Sequence, residues 1–496
     1  MDLLPLSYLK NRIFWTFHFY KMKKQYFLIL FCLIAMLSCG DGNTPEEQKE
    51  VLELKEQSIA EGAEVDANTV TVLTLRYNKM VRIAANASIT LNGAALQATC
   101  SAMEVSIPLQ LVSATDYTLR IAAGSIVSVL DSTIVSGELN LHFKAAAQKE
   151  QAICTELSDK NAIPQAQNVF AFLLEQYGKR TISAAMANVN WNISEANLVY
   201  TATGKYPAMA TMDYIHMLTQ TTHSPFNGWL VNYADISALE TWWNSNGLLA
   251  ASWHWNVPRT EADITNTEGY TCTPGNGTTG TTFKPSNVMK EGTWEKRIAD
   301  EDLAVMAANL LLLQEKNIPL LFRPYHEASG NTYSEWNLVN GKPKGNAAWF
   351  WWGAEGAEVY KELWKYTYEY FQSKGIHNLI WVWTSQNNGD TDWYPGDAYV
   401  DIIGQDIYNR NALQNAADFE KLQATYPNKM ITLSECGNVG RISEQWANGA
   451  RWSWFMPWYQ YNATTLDGHE HANTAWWQDA MTHPNVITRD QMPSLK

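Results

Sequence analysis

Basic side chains are in short supply in this 496-residue chain: 36 Lys and Arg stand against 50 Asp and Glu, a formal net charge of −14. Binding nucleic acid requires a clustered basic surface to neutralise phosphate, so that partner class is excluded. Cysteine is scarce too. Cys32 and Cys39 belong to an N-terminal apolar segment, leaving Cys100, Cys154, Cys272 and Cys436, and no spacing among them resembles a zinc site. Four thiols allow three pairings, and the sequence leaves the choice open. A chain this long buries enough surface to fold without staples. The apolar run Tyr26–Leu37 is too short for a comfortable transmembrane helix. Aromatics, by contrast, are abundant, with 22 Trp and 23 Tyr. Either these rings fill a large core, or some offer flat apolar faces to flat apolar partners such as the C–H face of a sugar ring.

Lys21-Met22-Lys23-Lys24, the run Tyr26–Leu37 and Ser38-Cys39-Gly40 describe an export signal. Met22 is a better start than Met1. Met36-Leu37-Ser38 before Cys39 resembles a bacterial lipobox, which implies lipidation of Cys39 and an outer-membrane lipoprotein on the cell surface or the periplasmic face. A plain secretory signal or an uncleaved anchor is the alternative. With residues 1–39 as signal, 40–50 read as a polar tether. Residues 51–147 then hold short alternating β-runs: 69–75, 89–91 before the turn Asn92-Gly93, 104–107, 117–121 and 139–143. Their spacing, without helical stretches, predicts a small all-β sandwich. It resembles bacterial immunoglobulin-like domains through Tyr117–Gly124, and carries no catalytic constellation. Lys144–Glu150 reads as a linker.

Over 155–496 the pattern changes to apolar β-runs alternating with amphipathic stretches such as Ile298–Asn317 and Glu355–Lys374. Eight runs stand out: Ile182–Trp191, Ala208–Met217, Leu248–Trp255, Ile318–Glu327, Asn378–Ser385, Asp401–Tyr408, Met430–Gly437 and Trp452–Tyr459. Continuous apolar runs suit strands buried on both faces, and eight with intervening helices predict an α/β (β/α)8 TIM barrel. In that fold the active site lies at the C-terminal strand ends. Run four ends Arg323-Pro324-Tyr325-His326-Glu327 and run seven ends Leu433-Ser434-Glu435-Cys436-Gly437. Strands four and seven stand roughly across a barrel, so Glu327 and Glu435 reach one cleft. Two carboxyls in a cleft suit glycosidic bond cleavage, where one donates a proton to the leaving oxygen and the other attacks the anomeric carbon.

Arg323–Glu327 with Trp349-Phe350-Trp351-Trp352-Gly353 resembles the acid/base segment of glycoside hydrolase family 26, and Ser434–Gly437 resembles its nucleophile segment. Gly404–Tyr408, the His254 run and Phe455-Met456-Pro457-Trp458 follow in the family's order. The resemblance spans 155–496 and implies a retaining β-1,4-mannanase, endo-acting, with Glu327 as acid/base and Glu435 as nucleophile. Its partners would be β-mannan or manno-oligosaccharides, and it would act as a monomer. No metal or organic cofactor is implied. Action on β-1,3-xylan or mixed-linkage β-glucan is the alternative within the family. A non-catalytic surface glycan-binding lipoprotein is the alternative outside it, though binding alone would not require both Glu327 and Glu435. The chain departs from the family pattern in the longer stretch from Ala328 to Ala348, which inserts Tyr333, Trp336 and Lys342-Pro343-Lys344, and in Cys436, where an aromatic residue is common.

Companion roles follow. His326 bonds the nucleophile or a sugar hydroxyl, Tyr408 donates to Glu435, and Asp406 positions a neighbour. His254 and Trp255 line the cleft, Trp458 stacks on the sugar at the cleavage point, and Trp349 contributes to the same surface. A satisfied buried histidine competes as the reading of His254, and core packing competes for Trp458 and Trp349. His469 and His471 read as part of a solvated loop rather than a metal site, and Trp242-Trp243 as core or an outlying sugar platform.

Overall fold

The computed structural model describes residues 51–65, 70, 72–109, 111–112, 114–146, 152–217, 231–332, 338–339, 342–343, 348–386 and 390–496. The signal segment, Cys39, the tether and the insertion residues Tyr333, Trp336 and Lys344 lie outside them.

In residues 51–146 the alternating pattern places every second side chain inward. Asp116–Ile121 and Leu139–Ala145 pair antiparallel with Leu141 opposite Leu119, and both residues are fully buried. They belong to a five-stranded sheet; a four-stranded sheet orders Leu54–Gln57, Val72–Tyr77, Glu104–Pro108 and Thr99–Ser101. Residues of both sheets form one apolar core. Asn92 and Gly93 both have positive φ, 49° and 84°, and join Ile89–Leu91 to Ala94–Ala95 as the expected tight hairpin turn. The expected linker from Lys144 starts too early. Lys144 still pairs with Asp116, and Ala145 pairs with Val65, so the strand continues through Ala145.

The second unit is a closed parallel barrel of eight strands: β1 Thr181–Asn188, β2 Met209–Asp213, β3 Leu248–Trp253, β4 Leu320–Pro324, β5 Leu379–Ser385, β6 Ile402–Tyr408, β7 Met430–Gly437 and β8 Trp454–Pro457. Neighbours pair in sequence order, and β1 pairs with both β8 and β2 to close the ring. Helices α1 Pro164–Gln176, α2 Ser194–Thr203, α3 Ser237–Asn244, α4 Trp294–Glu315, α5 Ala357–Ser373, α6 Ala412–Thr425, α7 Ile442–Ala447 and α8 Thr474–Thr482 accompany the strands. Each of the eight runs contains one strand, and the strands are almost wholly buried, as their unbroken apolar character requires. Helix α4 begins four residues before the expected Ile298, because Thr293 caps it by accepting from the Lys296 N–H at 3.2 Å. Among the described residues Cys100, Cys154, Cys272 and Cys436 are free.

Tryptophan serves the core first. Among the described residues eleven of the rings, including Trp242, Trp253, Trp255, Trp351, Trp352 and Trp383, are less than 2% exposed.

Candidate active site

Strand geometry decides which side chains meet at the C-terminal mouth of the barrel. Successive residues point to opposite faces, so His254 turns into the cleft while Trp253 and Trp255 turn outward and stack on each other at 4.3 Å. Trp255 is 1% exposed and its indole donates to Asp302 of α4 at 2.6 Å. The expectation that it lines the cleft is therefore wrong: it is a wall residue facing the helix layer.

Between β6 and β7 the register slips after Gln405, so that Asp406 stands opposite Glu435. Such a bulge re-aims side chains at a sheet's end. The two carboxylates are bridged from β4 by Arg323, which donates to Glu435 Oε2 at 2.5 Å and to Asp406 Oδ2 at 2.6 Å. Tyr408 donates to Glu435 Oε1 at 2.6 Å, and Ser434 donates to Asp406 Oδ1 at 2.7 Å. Glu435 thus accepts from a different donor at each oxygen, a bonding pattern that fixes its orientation. Asp406 does hold its neighbours, Arg323 and Ser434.

After β4 the backbone turns sharply. Tyr325 and Glu327 adopt φ of 51° and 53°, a left-handed conformation that costs bulky residues of order 1–3 kcal/mol each. The surroundings hold it. Tyr360 Oη donates to the Tyr325 carbonyl at 3.1 Å, Trp352 Nε1 to that of His326 at 2.9 Å, and Trp351 Nε1 to that of Trp255 at 2.8 Å. The Trp-rich run thus splints the segment that carries Glu327. Burial holds the Glu327 carboxyl well above the usual range, the charges of Asp406 and Glu435 add to this, and Arg323 opposes it. Burial also pushes Asp406 up, to about 7, against the pull of Arg323. The proton belongs on Glu327, because Asp406 already accepts from Arg323 and Ser434.

His254 Nδ1 meets Asp213 at 2.5 Å. Burial disfavours the charged imidazole, but the charge and hydrogen bond of Asp213, with the charge of Glu435, outweigh it and raise the pKa. His326, 4.3 Å away ring to ring, shifts well below the usual value through burial and the charges of His254 and Arg323. A charge-prone and a neutral imidazole thus sit side by side, and His326 Nδ1 has no partner among the described residues. His326, Asp406 and Glu435 bring ligand-type atoms within 4.8 Å of one another, but the guanidinium of Arg323 already supplies the cation between the carboxylates.

A cavity of about 640 Å³ opens over this cluster and is also lined by Trp349, Trp458 and Phe350. Trp349 is 43% exposed at its rim, so it does not belong to the core. Trp458, half-buried, lies 5.8 Å from His254. Trp242 and Trp243 are core. The loop holding His469 and His471 is solvated at Asp467, Gly468 and Glu470, but not at His469 itself. His469 is buried, its Nδ1 accepts from the N–H groups of His471 and Ala472, and its Nε2 faces Glu195 at 2.7 Å. His471 packs 5.7 Å from the Tyr408 ring.

Sequence reasoning passed over Arg323 and Asp213 as site residues. Each is a charge inside an otherwise apolar strand run, and a buried charge needs a partner; that was the available signal. Phe350, Gln386, Gln405 and Arg410 also line the cavity without a comparable signal.

Residues 158–491, more than half of the chain, match the sequence profile of glycosyl hydrolase family 26. Mannan endo-1,4-beta-mannosidases B and A of Piromyces sp. are 31% and 30% identical, over 68% and 71% of this chain and 54% and 53% of their own length. The chain therefore spans about half the length of these curated relatives. The family 26 domain of an endo-beta-mannanase/endo-beta-glucanase from Prevotella bryantii superposes with a TM-score of 0.61 at 38% identity, covering 68% of this chain and 99% of that one. A ruminal endo-beta-1,4-mannanase of the same family superposes with a TM-score of 0.61 at 25% identity and covers 90% of this chain and 93% of its own. This chain belongs to glycosyl hydrolase family 26.

Proposed function

We propose that the chain is a retaining, endo-acting β-1,4-mannan hydrolase with Glu435 as nucleophile and Glu327 as acid/base. The observation that carries this reading is the asymmetry of the pair: Arg323 and Tyr408 both donate to Glu435, while burial and neighbouring negative charge keep the proton on Glu327. Glu435 attacks the anomeric carbon as the glycosidic C–O bond breaks, and Glu327 gives its proton to the departing oxygen. Glu327 then takes a proton from water, whose oxygen attacks the same carbon and frees Glu435. The names of the two Piromyces relatives support mannan as the substrate. The protein acts as a monomer, held at the outer membrane through lipid on Cys39.

Product analysis tests the reading. Wild type and Glu435→Gln are incubated with linear mannan, galactomannan, β-1,3-xylan and mixed-linkage glucan. Manno-oligosaccharides of mixed length from the wild type alone are expected. Cleavage of xylan or glucan without mannan, or an active Glu435→Gln, refutes it.

A further inference from the structure

A second cavity, of about 410 Å³, lies on the same mouth of the barrel, between the loops that follow β1 and β8. Its walls are mostly side-chain amides: Asn188, Asn190 and Asn192 from one loop, Gln460 and Asn462 from the other. Internal bonds consume only part of this hydrogen-bonding capacity. Asn188 is used at both ends, by Ser194 Oγ and the Asn190 N–H. Asn192 and Gln460 use only their carbonyl oxygens, accepting from the N–H groups of Ser194 and Glu470. Among the described residues the amide nitrogens of Asn192 and Gln460 have no acceptor, and the Asn190 side-chain oxygen is buried with no partner. Glu195 lines the same space, with one oxygen held by His469. Tyr461, 68% exposed, presents an aromatic ring at the edge.

Among the described residues no Lys or Arg lines this cavity, so nothing there matches an anion. Glu195 brings a single carboxylate, one oxygen of which already faces His469, too few charged ligands to hold a cation. Uncommitted amide donors and acceptors beside a carboxylate oxygen complement adjacent neutral hydroxyls, and an exposed aromatic face suits the C–H side of a pyranose ring. The volume lies within the range of about 300–1,000 Å³ typical of small-molecule sites. The two cavities are joined by the chain itself: Trp458 lines the first, Gln460 the second. Tyr459 between them feels the charges of both Asp213, which holds His254, and Glu195.

We propose that this amide-lined cavity is an accessory sugar site, taking one further neutral hexopyranosyl unit of the polysaccharide whose cleavage is proposed above. The unit comes from the backbone beyond the cleaved linkage or from a branch. The double variant Asn190→Ala/Tyr461→Ala tests it by kcat/KM on linear manno-oligosaccharides of increasing length and on galactosylated ones. The site predicts unchanged kcat/KM on the shortest substrate and a loss of about tenfold, about 1.4 kcal/mol, on longer or branched ones. A loss on long linear substrates identifies a backbone unit; a loss confined to galactosylated ones identifies a branch. Equal effects at every length, or no effect, overturn the proposal. Calorimetric titration of the same oligosaccharides and of xylan and glucan oligosaccharides into the Glu435→Gln chain, with and without the double variant, needs no turnover. If the wild type cleaves no mannan, the reading of the activity fails. The accessory site is then judged on this titration alone, and a Kd insensitive to the double variant for every glycan bound overturns it.

Discussion

At the scale of single residues, the site is organised around one buried cation and the proton it does not neutralise. Arg323 holds Asp406 and Glu435 and leaves Glu327 to carry the proton. After burial, the charge of Asp406 is the largest cause raising the Glu327 pKa. Asp406→Asn removes that charge and keeps the side chain's shape. As the proposed acid, Glu327 must be protonated to donate, so activity is expected to fall as pH rises through its pKa. A lowered pKa therefore moves the alkaline limb of kcat/KM to lower pH. A full pH profile of Asp406→Asn checks this, and a limb that stays put or moves upward would show that Asp406 does not set the acid. Glu327, Glu435, Tyr408 and His254 were legible because each ends an apolar strand run with a polar group. Trp255 was misread because linear adjacency to His254 hides the alternation that sends neighbours to opposite faces.

At the scale of elements, the run that carries Glu327 depends on a splint rather than on its own propensity. Gly353 closes the Trp-rich segment so tightly that a Cβ there would stand 2.0 Å from the carbonyl oxygen of Ala328, the residue after Glu327. Gly353→Ala is expected to destabilise the chain by about 1–3 kcal/mol, as overpacking does. It should lower kcat more than it changes KM, since the displaced backbone carries the proposed proton donor. Thermal unfolding and steady-state kinetics together check this, and a variant with a lowered Tm but wild-type kcat would show that the splint only stabilises. All eight strands were legible, because burial on both faces writes an unbroken apolar run. The C-terminal limits of β5, β6 and β7 were legible as well, at Ser385, Tyr408 and Gly437, whereas those of the other five strands were not. The expected fourth strand runs through Glu327, yet β4 stops at Pro324 because Tyr325 and Glu327 turn left-handed. That conformation is held by Trp352 and Tyr360, which bond the His326 and Tyr325 carbonyls from later in the chain, and no local pattern announces it.

At the scale of the whole molecule, the chain builds two separate apolar cores. One is formed by residues between Leu52 and Ala145, the other by residues from Leu157 onward. Among the described residues, every one lining the candidate cleft falls between His254 and Trp458, and every one lining the amide cavity between Asn188 and Thr464. Stability and chemistry of the barrel thus draw on no side chain of the sandwich in either core or cavity. A chain comprising 152–496 is therefore expected to fold cooperatively and to hydrolyse soluble manno-oligosaccharides with the kcat/KM of the full chain. Any contribution of the sandwich should then show only on insoluble or surface-bound polysaccharide, where placement of the barrel rather than its chemistry limits the rate. Circular dichroism melts and initial rates on both substrate forms check this. A shortened chain that melts early or loses rate on the soluble substrate would mean that the sandwich supports the barrel through contacts outside the two cores.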